Sequence, residues 1–179
     1  MYNRYLMVND DAIGRLAKQI DAARRSEPSS ISAEEVAALR RQGACELHQI
    51  CAEFVSALNG RLSDAVVDLS PPTYAAEMFH ESGTNLIQMS SQGREMQIAF
   101  QSTAELFSTE KFQAPYILEG EVRTYNQAML EHFEIRSQLL FFCLDLNETA
   151  AVWRFFDLRD GRTAMVDRDL LAGLMERLF

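Results

Sequence analysis

The run Leu139-Leu140-Phe141-Phe142-Cys143-Leu144 is apolar at odd and even positions alike. Successive side chains of a strand point to opposite sides, so a strand of this kind is stable only when both of its faces are covered. A second apolar run, Ala151 to Phe156, follows the turn-forming pair Asn147-Glu148. Folding the two runs about that turn puts Leu140, Phe142 and Leu144 on one face with Ala151, Trp153 and Phe155. Leu139, Phe141 and Cys143 then share the other face with Val152, Arg154 and Phe156. The rest of the chain has to supply a layer on each side of this hairpin, or a second copy of the chain has to supply one of them.

One layer is legible upstream. Ser32-Ala33-Glu34-Glu35 has the spacing of a capping box, in which Ser32 accepts from the amide of Glu35 and the Glu35 carboxylate reaches back to the amide of Ser32. Val36, Leu39, Gly43, Leu47, Ile50, Phe54, Leu58 and Leu62 then recur every three or four residues, which predicts an amphipathic helix of about eight turns over 32–63. Before it, Asn9 with Asp10 and Asp11 caps a shorter helix striped by Ile13, Leu16, Ala17, Ile20 and Ala23. That helix ends near Arg25, ahead of a Ser26–Ser30 loop, so the two helices form a hairpin.

Beyond Pro71-Pro72 the chain reads mostly as loop, with one helical turn at Tyr74–Phe79, and the apolar period then changes from 3.6 to 2. Ile87 and Met89 alternate against Met96, Ile98 and Phe100 across Gln92-Gly93, which predicts a hairpin. A short helix is expected near Ala104–Phe107. A strand carrying Tyr116, Leu118 and Val122 begins after Pro115, and its Glu119, Glu121 and Arg123 face is wet. Asp160-Gly161 signals a two-residue hairpin into a strand Arg162–Met165, and Asp167 caps a last helix over 167–179. With no βαβ unit, these elements predict an α+β chain of one domain, 1–179. An N-terminal helical hairpin packs its long helix on a curved antiparallel sheet of about five to six strands within 84–166, and a C-terminal helix follows. In element order this resembles cystatin-like and nuclear-transport-factor-like cones. The resemblance carries no active-site residue across.

Charge narrows the partners. Of 17 basic and 26 acidic residues, residues 1–62 hold eight of each, so the whole surplus of −9 lies beyond them. That distribution excludes a duplex-binding surface and disfavours anionic membranes. The pairs Arg24-Arg25 and Arg40-Arg41 are expected on solvated helix faces. No apolar run reaches the length of a membrane span, and the N-terminus lacks the long apolar stretch of a secretory signal. Three cysteines, Cys45, Cys51 and Cys143, lie in apolar patterns and read as buried thiols of a cytoplasmic protein.

Chemistry is sparse. His48, His80 and His132 lie far apart, and no zinc, calcium, phosphate-cradle or nucleophile-elbow spacing occurs, so no metal and no cofactor is expected. The sharpest polar anomaly is Arg154 on its apolar strand. With Asp145, and His132 or Tyr125, it would line a small-molecule pocket at one end of the sheet, where an arginine clamps an anion and a carboxylate moves a proton. Against this, Arg154 reaches solvent along the sheet. Leu140, Phe142, Leu144, Trp153 and Phe155 would form a docking surface for a protein partner or a homodimer, or else the core. The sequence favours a non-catalytic protein-binding or adaptor module over a pocket protein or enzyme, with an acidic secretion-type chaperone as a third reading.

Overall fold

The computed structural model describes residues 13–18, 31–109, 112–126, 138–145 and 150–179, with the backbone alone for 105–109, 112–114, 145 and 150. The chain divides into two compact units, Met1–Ser32 and Ala33–Phe179. In the first, residues 13–18 form helix α1, inside the first predicted helix. The remainder of that prediction lies outside the described residues, as do the Asn147-Glu148 turn and His132.

The second unit is an α+β fold. Helix α2, Ala33–Asn59, precedes seven strands: β1 (Asp68–Ser70), β2 (Asn85–Ser91), β3 (Arg94–Thr109), β4 (Phe112–Asn126), β5 (Gln138–Asp145), β6 (Ala150–Phe156) and β7 (Thr163–Met165). Helix α3, Arg168–Met175, follows. The strands form one antiparallel sheet in chain order, β1 to β7. Among the described residues no helix is long and apolar enough to cross a membrane.

Helix α2 buries Gly43, Ala44, Leu47, His48, Cys51, Phe54 and Val55, so its inward face is turned slightly from the predicted stripe and takes in His48 and Cys51. It stops three residues short of Leu62. The Asn59 side chain turns back on the outgoing chain, donating to the Val67 carbonyl at 2.9 Å and accepting from the Val67 amide at 2.8 Å. The tightest crossing is at Gly43, where a β-carbon would stand 2.6 Å from Cε1 of Phe142. The Trp153 indole donates to the Gly43 carbonyl there at 2.7 Å.

The β5–β6 register is the predicted one, with Phe142 opposite Trp153, Leu140 opposite Phe155 and Phe141 opposite Arg154. The inner face meets α2, while α3 adds buried Leu171, Leu174 and Met175. Asp167 caps α3 by accepting from the Leu170 amide at 2.8 Å, as the sequence predicts. Gln92 and Gly93 turn the β2–β3 hairpin with φ of 51° and 75°, both in the left-handed region that a two-residue turn requires.

The structure differs from the local reading in four places. Residues 104–107 are strand, because β3 bridges an irregular stretch and pairs with β4 again at Phe107 opposite Tyr116 and at Thr109 opposite Phe112. Pro115 lies inside β4, in the stretch where register shifts interrupt the ladder and a missing N–H costs little. Asp160-Gly161 belongs to a longer turn over 157–162, closed by bonds from the Gly161 amide to the Asp157 carbonyl and from the Asp157 amide to the Arg162 carbonyl, both 2.9 Å. The seventh strand is β1, three residues paired with Gln88–Ser90 just ahead of Pro71-Pro72, where the sequence signals no strand.

Arg40 also departs from expectation. Arg41 is exposed, yet the Arg40 side chain is only 13% exposed. Its Nε donates to the Ile117 carbonyl at 3.1 Å, Nη2 donates to the Thr103 carbonyl and Nη1 pairs with Glu81. Ile117 is the extra residue of a bulge, since Tyr116 faces Cys143 and Leu118 faces Phe142. Arg40 therefore satisfies backbone carbonyls that the broken ladder leaves over.

Candidate functional site

The outer face of the sheet, away from α2, is built from two alternating patterns laid side by side. On β3 and β4 its outward positions are, Ala99 and Tyr116 apart, strongly polar: Gln97, Gln101, Glu119, Glu121 and Arg123. On β5 and β6 they are, Arg154 apart, apolar: Leu139, Phe141, Cys143, Val152 and Phe156. The seam falls between β4 and β5, where Glu119 stands opposite Phe141 and Glu121 opposite Leu139. Tyr116, Phe141, Cys143 and Phe156 are buried there and pack with Leu139, the Tyr116 and Phe141 rings 4.5 Å apart. On this face Phe141, Cys143 and Phe156 are buried, and on the other so are Leu140, Phe142, Trp153 and Phe155.

Along the seam lies a groove of about 910 Å³, floored by Tyr116, Leu139, Phe141 and Phe156 and edged by Glu119, Glu121 and Arg123. Glu119 accepts from the Gln101 amide at 3.0 Å, and Glu121 pairs with Arg123. Burial, with Glu119 and then Cys143 adding to it, raises the pKa of the Tyr116 phenol. Burial lifts the Cys143 thiol to about 12 against the opposing charge of Arg154. Both groups are protonated at neutral pH, which makes them poor nucleophiles and poor bases. Among the described residues no three His, Cys, Asp or Glu converge as a metal site would require.

The residues singled out from sequence fall elsewhere. Arg154 is half-buried on the outer face, opposite Phe141 and Met165, and is not part of the groove wall. Tyr125 stands opposite Glu95. It lies six positions along β4 from Glu119, which is level with Arg154, a separation of about 20 Å at 3.3 Å per residue. Asp145 ends β5 opposite Ala150, four positions beyond Phe141. These residues do not converge. The five expected to offer a docking face are closed beneath the helices: Leu140 is 1% exposed, Phe142 0%, Leu144 7%, Trp153 3% and Phe155 6%. They are core, and the open concavity lies on the opposite face. Its carboxylates were visible in sequence as the wet side of one strand, but their apposition to Phe141 and Leu139 exists only once β4 pairs with β5.

His48 is a buried structural residue. Its Nε2 donates to the Pro71 carbonyl at 2.8 Å and its ring stacks on Tyr74 at 5.6 Å, while the Tyr74 hydroxyl donates to Asn85 Oδ1 at 3.1 Å. Burial pushes Cys51 to about 12, and burial with Cys45 does the same for Tyr74. A folded-state pKa raised above its unfolded value means that the unfolded chain loses its protons first on the way up. Stability is therefore complete below about pH 9 and declines from there toward pH 12. Urea midpoints should agree at pH 7 and 8 and fall from pH 9 to 10.5, and Cys51→Ala should flatten the decline. A midpoint independent of pH over this window would contradict the burial of these groups.

Comparison with the profiles of known protein families, with curated proteins and with solved structures returns no match.

Proposed function

We propose that this chain is a non-catalytic protein-binding module, and that it holds an apolar segment flanked by basic residues in the groove on the outer face of its sheet. The observation that carries this reading is the apposition of an aromatic floor, Tyr116, Phe141 and Phe156, with the carboxylates of Glu119 and Glu121 in one concavity of about 910 Å³. Apolar floor gives affinity through area removed from water, and carboxylates at the edge favour cationic flanks over anionic ones. The acidic surplus of the chain beyond residue 62 acts in the same sense at longer range. Protonated Cys143 and Tyr116 argue for contact rather than nucleophilic chemistry at this face. Three unpaired cysteines, two of them buried, fit a cytoplasmic location.

A photo-crosslinking residue placed at Leu158 or at Glu121, both on the groove wall, tests the reading in cells of the source organism. The expected result is an adduct whose attachment segment, mapped by mass spectrometry, carries apolar and basic side chains, and which Glu119→Lys suppresses. A homodimer adduct, no adduct, or the same adduct from Gln49 on the exposed side of α2 would overturn it. The volume of the groove also suits a small ligand. In that case native mass spectrometry would find a bound mass in place of a cross-linked protein.

A further inference from the structure

On the helical side of the sheet a second cavity, of about 370 Å³, opens between the end of α2, the chain leading to β1, the β2–β3 turn and the C-terminal residues. Its walls are largely hydrocarbon, from Phe54, Leu58, Val67, Met175 and Phe179. The polar groups around it are already engaged. The Ser91 hydroxyl donates to the Val66 carbonyl at 2.9 Å, and Asn59 holds Val67 by both its amide and its carbonyl. Those three bonds pin residues 66–67 to α2 and β2. One wall is therefore held in place, where an unpinned apolar gap would close by relaxation of its lining. Water is poorly suited to such a space, because each buried molecule needs two to four polar partners.

We infer that this cavity is a binding site for a single alkyl chain or aromatic ring bearing a neutral or cationic head group. Taking roughly 30 Å³ for each water-sized group, it admits about a dozen non-hydrogen atoms, the size of a medium-length alkyl chain. The head group follows from the mouth. Glu176 is the one charged residue among the described lining residues, with Gln92 also on the wall, so an anionic head would meet a like charge. The cation Arg94 stands behind the wall and does not line the cavity: its Nε donates to the Leu178 carbonyl at 2.8 Å and its guanidinium lies 4.5 Å from the centre of the Phe179 ring. That contact orients Phe179, which is 68% exposed, at the rim, and exposed Leu62 and Val66 extend the apolar surface outward.

The test uses the full chain and the neutral fluorophore 1-aminonaphthalene, whose size of about a dozen non-hydrogen atoms matches the cavity. The expected result is saturable one-to-one binding with blue-shifted emission, displaced by dodecylamine at about one-tenth of the laurate concentration needed. Ala172→Phe, which fills the cavity from a half-buried wall position, is expected to weaken binding about tenfold or more with circular dichroism unchanged, and Leu86→Gln on the outer face to leave it intact. Should Ala172→Phe fail to fold, Ala65→Phe fills the same space from the opposite wall. Absence of saturation, wild-type affinity in a folded filled variant, or laurate displacing as well as dodecylamine would overturn the assignment.

Discussion

Replacing Gly43 by alanine is expected to destabilise the protein, although the same change on a solvent-exposed helix face would stabilise it. Alanine is favoured over glycine inside a helix by about 1 kcal/mol. At Gly43 the added methyl would stand 2.6–2.8 Å from three carbons of the Phe142 ring, so helix and sheet must separate or the ring must leave its position. The ring has little room to move, since it lies 5.3 Å from the Trp153 ring in a fully buried layer. Any separation also stretches the 2.7 Å bond from the Trp153 indole to the Gly43 carbonyl. Overpacking of this kind costs about 1–3 kcal/mol, and the stretched bond adds to it. The expected net loss is about 2 kcal/mol, or roughly 4–8 °C in Tm for a chain of this size. Thermal denaturation reads the sign directly, and a gain in Tm would mean that α2 does not approach the sheet this closely. Phe142→Leu, itself destabilising, should cost less in the Gly43→Ala background than alone, and a double-mutant cycle measures that coupling.

Arg40→Ala is expected to cost about 3 kcal/mol. It leaves the carbonyls of Thr103 and Ile117 without their guanidinium donor, at about 1–3 kcal/mol for each carbonyl left buried and unsatisfied. The Glu81 partner adds little, because its side chain is 44% exposed. Arg40→Lys should recover only a small part, since one ammonium cannot reproduce a planar fork that reaches two carbonyls on different strands. Urea titration gives the loss. Hydrogen exchange should localise it to the irregular stretch of β3 and β4 around Thr103 and Ile117, and protection unchanged there would show that the bulge does not depend on Arg40.

These two positions also mark where reading along the chain ends. The periodicity of 32–62 identified a long amphipathic helix, and the same pattern left Gly43 as a gap in the stripe. Only the packed layers reveal that the gap is the point of closest approach. Arg40 reads locally as half of a solvated basic pair, because the carbonyls it serves lie 63 and 77 residues away in sequence.

What the sequence determined by itself is what depends on neighbours a few residues apart. The parity of Leu139–Leu144 against Ala151–Phe156 dictated which β5 and β6 side chains share a face, the Gln92-Gly93 pair dictated the β2–β3 turn, and Asp167 dictated the start of α3. Each follows from side-chain alternation or from a local hydrogen bond. Tertiary structure decided everything that requires a distant partner: strand in place of helix at 104–107, the three-residue β1, and the bulge at Ile117. It also set the pairing of β4 with β5 that lays Glu119 against Phe141, and the same register keeps Tyr125 away from Arg154. The physical reason is that a ladder of long-range hydrogen bonds outweighs the few tenths of a kcal/mol per residue by which local preference chooses between helix and strand.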